Sequence, residues 1–500
     1  MLSYILLAVV VVIVRIVWHF AAMRRVMSHK GPIPTGGRMP VLPALPILGN
    51  VLDIDPHGLA ATNAKFATKL GPVFTTHFGS RPTIIIGDPR VVKAIYTTAL
   101  STFDRSQGRM MDVLGRVAGG LVMQANGAEW RKDRSIVSAH FHRSVLDRVR
   151  ERVVEARIPA TLRALGAAAD EGREVEIEGL IQKLALDVIG EFVLGVNFRA
   201  QEDERSPFGR ALHRMLRWLI IRYAIPFSWW KYVSFAGDRR LDQDFDMFHS
   251  VIRGRARELV AAQARDESMA DSDIILSSLL KESGGESDEH LLRQCMTLLV
   301  AGNDTTVSLI SWALYYIFRN PEVETTLVRE LTEQGGDSPM LDAVCKETLR
   351  LRPPALGAER ETTREYNLVW QGTDGQECQH TLPARSRIGV ALFLMQTHEQ
   401  NWVDPLSFRP DRWLNDGDGA TAASVDAGAF LPFGAGPRRC VGEKLALMEA
   451  KLAIAAIVRD FRLLPVHDSV PMVQEVTLKM GAPGYVVRVE RRKPARGKAD

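Results

Sequence analysis

The polar and apolar positions of this 500-residue chain follow a helical period over most of its length. From about Ala128 onward, apolar residues recur at i, i+3 and i+4, as in segments 178–195 and 271–282. This spacing places the apolar side chains on one face of an α-helix. We find no internal repeat and no strong boundary after residue 50, so residues 51–500 are predicted to form one mainly α body.

A minor β part is predicted beside the helices. Segments 71–79 and 83–89 are rich in Thr, Ile and Phe and lie close together in the chain, which is the pattern of a β hairpin. Shorter strand-like pieces follow at residues 366–372, 387–396 and 483–490.

The N-terminus has a different pattern. Residues 1–23 are almost entirely apolar, with Arg15 as the charged exception, and this length suits a transmembrane helix. Arg24 and Arg25 follow directly, which predicts a cytosolic location for that end. A cleaved signal peptide is the alternative, although a basic n-region and a convincing cleavage site are missing. Residues 24–50 are rich in Pro and Gly and are predicted to form a stiff hinge.

One long helix is predicted from Asp288 to Pro321. Ser287 is its expected N-cap, and Pro321 is expected to stop it. At about 1.5 Å per residue it would be about 48 Å long, enough to cross the whole body. Its flanks are apolar on all sides, which predicts a buried position.

A polar cluster, Ala301–Thr306, interrupts this apolar helix. Gly302 costs a helix about 1 kcal/mol relative to Ala, and the buried Asp304 and Thr305 need hydrogen-bond partners. Two interpretations stay open. The Thr bonds back to a carbonyl and the Asp joins a salt bridge, or the cluster is functional. In the functional case the Gly lets a flat ligand approach, the hydroxyl orients a water, and the acid relays protons.

Composition excludes some classes of protein. The net charge of +4 is small for 63 basic and 59 acidic side chains, and gives no indication of nucleic-acid binding. The four cysteines form no C-x-x-C pair, which argues against zinc ribbons and redox pairs. Cys295, Cys345 and Cys378 are predicted to be packing or surface thiols.

The fourth cysteine, Cys440, lies between a glycine-rich loop and a helical pattern. Gly434 and Gly436 permit turns with positive φ. The helix N-terminus favours a thiolate, as do the charges of Arg438 and Arg439. A lone thiolate does not make a zinc site. It could be a nucleophile with a remote His, the axial ligand of a haem iron, or simply a small buried side chain.

The spacing of this loop carries a resemblance. The pattern Phe433-x-x-Gly436-x-Arg438-x-Cys440-x-Gly442 closely resembles the haem-binding loop of the cytochrome P-450 superfamily of haem-thiolate monooxygenases. Further motifs stand in the order typical of that family: Trp130-x-x-x-Arg134, Ala301–Thr306, Glu347-x-x-Arg350 and Phe408–Trp413. The resemblance covers essentially the whole chain and implies the P-450 fold, with a long central helix over the haem.

The resemblance implies a role for each of these residues. Residues 51–500 would form a haem-thiolate catalytic domain binding haem b, with Cys440 as the metal ligand. Asp304 and Thr305 would be the catalytic residues that deliver protons to O2, the co-substrate. Seven other residues would contact the cofactor: Trp130, Arg134, Arg360, Phe433, Gly436, Arg438 and Gly442. A structural ion-pair network would join Glu347, Arg350 and Arg412.

Partners are also implied. No Walker loop or G-x-G-x-x-G motif is present, so electrons from NADPH would come from a separate flavoprotein reductase, with cytochrome b5 as a further donor. A cationic dock for it is expected at Arg131, Lys132, Arg439 and Lys444. The anchor and hinge resemble microsomal members, which implies a monomer with a single membrane pass in the endoplasmic reticulum and a cytosolic catalytic domain. The substrate would be lipophilic, such as a sterol or fatty acid, and segment 214–233 would form a lid that either dips into the bilayer or is a buried helix pair.

Three alternatives remain at this level. The chain could be a haem-thiolate isomerase or dehydratase that acts on peroxides without a reductase, although Asp304 and Thr305 argue against it. It could be a non-catalytic haem-binding scaffold, which the intact motifs disfavour. A cysteine hydrolase is the most distant reading, because no His lies near Cys440 in sequence.

Overall fold

The computed structural model describes residues 2–28, 37–55, 57–79, 81–106, 109–203, 206–224, 232, 236–264, 273–283, 288–333, 338–414 and 428–493. Within these ranges the helices are α1 (Leu2–Ser28), α2 (Leu59–Leu70), α3 (Pro89–Tyr96), α4 (Arg109–Ala118), α5 (Ala128–Ala139), α6 (Arg143–Val149), α7 (Ala156–Glu171), α8 (Ile177–Leu194), α9 (Pro207–Ala224), α10 (Ala236–Ala264), α11 (Ile275–Lys281), α12 (Glu289–Arg319), α13 (Pro321–Glu333), α14 (Pro339–Leu351), α15 (Leu392–Thr397) and α16 (Glu443–Asp460).

The strands are short and lie mostly in the first and last quarters of the chain. They are β1 (Val73–Phe78), β2 (Arg81–Ile86), β3 (Phe103–Asp104), β4 (Glu174–Glu176), β5 (Ala358–Thr362), β6 (Tyr366–Gln371), β7 (Glu377–Leu382), β8 (Arg387–Val390), β9 (Phe461–Pro465), β10 (Met472–Gln474), β11 (Leu478–Met480) and β12 (Val486–Arg491). The prediction of a mainly α chain with a minor β part is confirmed.

The chain divides into two compact units, each built from separated segments. The sheet unit consists of Met1–Ser106, Leu356–Leu406 and Ala423–Arg438. The helical unit consists of Gln107–Ala355, Ser407–Ala422 and Arg439–Asp500.

The sheet unit is organised by a five-stranded sheet in the order β1-β2-β8-β5-β3. The predicted hairpin is confirmed, because β1 and β2 pair antiparallel with Val73 opposite Ile86. The strand predicted over 387–396 is correct only in its first half. It ends at Val390, and the buried run Leu392–Thr397 forms α15. A short run that is buried on all sides does not distinguish strand from helix by periodicity.

The N-terminal segments pack on this sheet unit. In α1, His19 and Met23 are buried, and His19 Nε2 lies 3.1 Å from Asp53 Oδ1. The described part of the predicted hinge, residues 37–50, runs beside β1, where the Leu42 N–H donates to the Thr75 carbonyl at 2.9 Å. Residues 29–36 of that hinge lie outside the described residues.

We find no helix that is long and apolar enough to cross a membrane in the part of the chain that the structure describes. The side chains of residues 1–10 lie outside that part. The membrane anchor predicted for residues 1–23 is therefore not confirmed and stays a prediction.

The helical unit is built around α12, which packs against α4, α8, α14 and α16. Asp288 caps α12 by accepting a hydrogen bond from the His290 N–H at 2.8 Å. The predicted cap, Ser287, lies outside the described residues and does not serve as the N-cap. As expected, the helix stops just before Pro321, which begins α13.

Gly302 lies where α12 packs on α8. A Cβ built on it would lie 2.4 Å from Ile189 Cδ1 of α8. Such a distance is well inside van der Waals contact, so a larger residue at this position would require the Ile189 side chain to move. That a small residue here lets a flat ligand approach stays a prediction.

One carboxyl group of the helical unit is buried without charge compensation. Glu449 of α16 is 3% exposed, and its Oε1 has no hydrogen-bond partner among the described residues. Burial raises the pKa of Glu449 to about 8. A group whose folded-state pKa is raised stabilises the fold at low pH, and that contribution is lost as pH rises.

We predict that Glu449→Gln removes a pH dependence from the stability of the protein. The free energy of unfolding of the wild type should fall, relative to the variant, as pH rises from the unfolded-state value of 4.5 to about 8. For one group the slope is at most about 1.4 kcal/mol per pH unit. Urea unfolding at several pH values measures the difference, and parallel curves for the two proteins would contradict the prediction.

Candidate active site

The cysteine loop has the backbone predicted for it. Gly434 and Gly436 adopt φ of 69° and 62°, in the left-handed region that favours glycine. A Cβ on Gly436 would lie 2.1 Å from the Tyr96 carbonyl oxygen, so Gly436 is also required by close packing inside the sheet unit. The half-buried Phe433 belongs to the same unit.

Cys440 follows the loop, and α16 begins three residues later with Gly442 as its N-cap. A Cβ on Gly442 would lie 3.9 Å from the Cys440 sulfur, in ordinary contact. Although Cys440 is exposed by surface area, protein atoms crowd its sulfur, and burial raises the pKa of the thiol. The backbone N–H groups of Gly442 and Glu443 and the charge of Arg134 oppose that rise. The expected support from the helix N-terminus is present, but burial outweighs it.

Helix α5 brings Arg134 to the same place. Its Nη2 donates to the Arg439 carbonyl, one residue before Cys440, at 2.7 Å. Trp130, one turn earlier on α5, is 6% exposed. Burial lowers the pKa of Arg134, and the Cys440 sulfur opposes that shift. The helical unit thus holds an indole, a guanidinium and a thiol on two neighbouring segments.

A buried carboxylate organises the next part of the helical unit. Glu347 and Arg350 of α14 are both 0% exposed and form a bidentate pair, with bonds of 2.9 and 2.8 Å. Arg412 Nε donates to Glu347 Oε1 at 3.1 Å. Two further donors are the Arg409 N–H at 2.9 Å and the Trp413 indole at 3.0 Å. The structure brings the three predicted members together and adds two that the motif did not indicate.

The polar cluster of α12 makes the contacts of the first interpretation, in which the Thr bonds back to a carbonyl and the Asp joins a salt bridge. The Thr305 hydroxyl donates to the Ala301 carbonyl at 2.7 Å. Asp304, 2% exposed, accepts hydrogen bonds from the Thr477 hydroxyl and from Lys479. Sequence reasoning missed both partners, because they lie more than 170 residues away and carry no recognisable motif.

Within the sheet unit, three arginines lie near one another. Arg360 is 1% exposed, and its Nη2 has no hydrogen-bond partner among the described residues. Burial lowers the pKa of Arg105 well below its ordinary value, and the charges of Arg360 and Arg438 lower it further. Tyr96 and Asp104 are the groups that oppose this shift. Arg105 was not predicted, since a single Arg after a short strand has no distinctive pattern.

Comparison with known proteins settles the family. The family model described as "Cytochrome P450" matches residues 39–489. The chain belongs to the cytochrome P450 family. It is therefore a haem-dependent monooxygenase of the P450 type. Members of the family bind haem iron through a thiolate, use O2, and take electrons from a reductase.

Several curated relatives are similar over most of their length. "Probable cytochrome P450 4s3" of Drosophila melanogaster is 29% identical over 441 residues, which is 83% of this chain and 84% of the relative. "Cytochrome P450 4d2" of the same organism is 26% identical over 468 residues, covering 86% of this chain and 89% of the relative. "Protein LUTEIN DEFICIENT 5, chloroplastic" of Arabidopsis thaliana is 26% identical over 437 residues, covering 82% and 70%.

A solved structure shows the same fold. The crystal structure of a cytochrome P450 (CYP102L1) superposes with a TM-score of 0.74 at 20% identity, covering 93% of this chain and all of that one. The prediction of the P-450 fold is confirmed.

The residues of this P450 fit a haem group. Haem carries two carboxylates, and the sheet unit holds a cluster of three arginines, of which Arg360 is buried and has no partner for its Nη2 among the described residues. The helical unit holds the Cys440 thiol, whose sulfur accepts hydrogen bonds from the backbone N–H groups of Gly442 and Glu443. Thiolate and guanidinium are the donor types that a haem with propionates requires.

The predicted cationic dock is partly neutralised. Lys132 pairs with Glu282 at 2.8 Å, and Arg439 forms a bidentate pair with Glu443 at 2.6 and 2.7 Å. Arg131 and Lys444 are exposed. The described part of the predicted lid segment 214–233 belongs to α9, apart from Tyr232, and residues 225–231 and 233 lie outside the described residues.

The remaining cysteines are buried, as the packing interpretation requires. Cys295, Cys345 and Cys378 are each at most 1% exposed. Burial raises the pKa of Cys295 and of Cys345 to about 12, so both thiols are protonated at neutral pH.

We predict that Glu347→Ala lowers the free energy of unfolding by about 3–5 kcal/mol, because two buried guanidiniums lose their carboxylate. Little haem-loaded protein should be recovered. Urea unfolding and the haem-to-protein absorbance ratio measure the two effects. Glu322→Ala, at an exposed position on α13, is the matched control. Normal haem content in Glu347→Ala would rule out the structural role.

Proposed function

We propose that this P450 inserts one oxygen atom of O2 into a lipophilic substrate such as a sterol or fatty acid. Electrons come from NADPH through a separate flavoprotein reductase, with cytochrome b5 as a further donor. The observation that carries the proposal is the Cys440 loop, in which a single thiol precedes a helix N-terminus and lies beside Arg134. When bound, haem b supplies the binding and activation of O2.

The residues of each unit then have assigned roles. Cys440 would supply the thiolate that binds the haem iron, and the Gly442 N–H would donate to its sulfur. Trp130 and Arg134 of the helical unit, and Arg360 and Arg438 of the sheet unit, bind the haem propionates. We add Arg105 to this set because it shares the buried cationic environment of Arg360 and Arg438. Phe433 and Gly436 shape the loop that precedes the ligand.

Deprotonation of Cys440 is the step that these contacts must support. Burial raises the pKa of the free thiol, and the Gly442 and Glu443 N–H groups lower it. With haem bound, Cys440 would be a thiolate, since a metal-bound thiol is deprotonated. The N–H groups then limit how much electron density the sulfur donates, which is the usual way in which a protein adjusts a thiolate ligand.

Thr305 and Asp304 are the catalytic pair that holds and moves protons. The Thr305 hydroxyl, which now donates to the Ala301 carbonyl, can rotate to hold a water. Asp304 directly precedes it on α12 and forms an ion pair with Lys479. An acid and a hydroxyl next to each other in a buried helix can deliver protons without admitting bulk solvent.

Membrane attachment is proposed from the sequence of residues 1–23, which are apolar and precede two arginines. A single-pass helix in the endoplasmic reticulum membrane, with a monomeric cytosolic catalytic domain on residues 51–500, would draw lipophilic substrates from the bilayer. The exposed Val11, Val12, Val14, Val17 and Trp18 of α1 support contact with lipid. The buried His19 and Met23 then mark where the helix leaves the bilayer and meets the sheet unit.

We predict that the reduced, carbon monoxide-bound protein has a strongly red-shifted Soret band, and that Cys440→His abolishes the shift. The reason is that only a thiolate ligand produces it. Absorption spectroscopy of the purified full chain makes the measurement. Cys378→Ala, which removes a buried thiol elsewhere, should keep the band. An unshifted band in the wild type would exclude thiolate ligation.

We further predict that Thr305→Ala keeps haem and substrate binding but diverts electrons from NADPH to hydrogen peroxide. The hydroxyl that orients the proton-delivering water is lost. Product and peroxide formed per NADPH, with a reconstituted reductase, measure the coupling. Thr305→Ser retains the hydroxyl and should behave like the wild type. Unchanged coupling in Thr305→Ala would count against proton delivery, and product from peroxides without NADPH would favour the isomerase or dehydratase alternative.

A further inference from the structure

Behind Asp304 lies a small group of buried charges that the proposed reaction does not yet use. Lys479 of β11 is 8% exposed and contacts Asp304 directly. Its hairpin is fixed to α12, because the Ser308 hydroxyl donates to the Leu478 carbonyl at 2.8 Å. Thr477, the residue before β11, holds the other oxygen of Asp304. The ammonium group of Lys479 therefore has a fixed position beside the acid.

A second carboxylate lies near the same ammonium group. Glu178, in the first turn of α8, has its Oε1 at 3.8 Å from Lys479 Nζ. This is too long for a direct hydrogen bond, and Oε1 has no hydrogen-bond partner among the described residues. A shift of about 1 Å in the flexible Lys479 side chain would bring its ammonium group within hydrogen-bond distance of this oxygen. Lys479 is thus placed between two acids, in contact with one and close to the other.

The two acids differ in their access to solvent. Glu178 and Lys479 line a cavity of about 480 Å³, whereas Asp304 does not. The side chain of Glu178 is 16% exposed and that of Asp304 only 2%. Lys479 is therefore the residue that joins the cavity to Asp304.

The environment of Glu178 favours its protonated form near neutral pH. Burial raises the pKa of Glu178 to about 7, and the charges of Glu176 and Asp304 act in the same direction. The ammonium group of Lys479 and the Met480 N–H oppose the rise. For Lys479 itself, burial lowers the pKa, but the charges of Asp304 and Glu178 more than compensate and raise it. The other charged groups that face this site belong to the cavity lining: Arg210, His213, Arg214 and Glu475.

We propose that Glu178 is the solvent-side proton donor to Asp304, and that Lys479 carries the proton between them. The Lys479 ammonium gives one proton to the Asp304 carboxylate as it takes another from the Glu178 carboxyl group, so it stays an ammonium group throughout. Asp304 then passes its proton on towards Thr305, and Glu178 takes up a new proton from solvent in the cavity. Each cycle therefore moves one proton inward and returns all three groups to their starting states. This relay rests on the proposed function, which consumes protons at Thr305 and Asp304.

The first test does not depend on turnover. We compare infrared spectra of the wild type and Glu178→Gln in the carboxylic acid C=O region as pH is varied. The difference spectrum should contain a protonated carboxyl band that declines through about pH 7. The imidazole of His213 does not absorb in this region, and Glu449 cancels in the difference. Absence of the band at pH 6 would overturn the role of Glu178.

The second test measures product formed per NADPH between about pH 6 and pH 8. Positioned acids and bases contribute about 10²–10⁴-fold to rates. Bulk water can still deliver protons to Asp304 more slowly, so we expect the coupling in Glu178→Gln to be only about tenfold lower than in the wild type. The coupling of the variant should not change with pH in this range. Lys479→Arg keeps a cation beside Asp304 but does not deprotonate, so it should show the same loss. Both variants should keep the red-shifted Soret band and substrate binding.

The matched control is His213→Gln, which changes another titratable side chain of the same cavity that is not among the charges acting on Glu178 or Lys479. Its coupling and pH profile should equal those of the wild type. Wild-type behaviour in both Glu178→Gln and Lys479→Arg would overturn the relay. A wild type without the red-shifted Soret band would instead overturn the proposed function, and the infrared titration would still judge the protonation of Glu178.

Discussion

The carboxylate of Glu347 is the constraint on which the helical unit depends. It is fully buried, and its charge is compensated by two guanidiniums, one backbone N–H and one indole. Removing part of such a set leaves an uncompensated buried charge, so the members must stay together. Because α14 also packs on α12 and α16, the same carboxylate holds in place the helices that carry Asp304 and follow Cys440.

Local chemistry explains what could be predicted from the sequence. The left-handed turns at Gly434 and Gly436, the β1–β2 hairpin and the end of α12 before Pro321 each depend on a few adjacent residues. Periodicity failed at 387–396, where burial on every side removes the difference between a strand and a helix. The N-cap of α12 was placed one residue too early, an error that comes from two suitable capping residues standing side by side.

The parts of the site that were missed are long-range contacts. Lys479 lies 175 residues from Asp304, and Trp413 lies 66 residues from Glu347. Lys479 has no local pattern that indicates its partner. Trp413 stands beside the predicted Arg412, but an indole gives no sign of its own that it binds a buried carboxylate. The small size of Gly302 is visible in the sequence, but its packing against Ile189 can be seen only in the structure. The residue type thus indicates that a position makes an unusual contact, and only the tertiary structure shows which residue is its partner.

The two interpretations of the α12 cluster are therefore compatible. Asp304 needs its salt bridge because a buried charge is costly without one, and the same salt bridge holds the side chain in position. The same Asp304 carboxylate can therefore form a structural salt bridge and serve the proposed catalytic role.

The three arginines of the sheet unit have a consequence for the life of the protein in the cell. Without a bound dianion, Arg105, Arg360 and Arg438 repel one another in a partly buried environment. A ligand that binds only the folded state stabilises it by mass action. If haem binds here as proposed, its propionates would neutralise this cluster and bound haem would stabilise the folded chain. The fraction of folded enzyme would then depend on the supply of its cofactor.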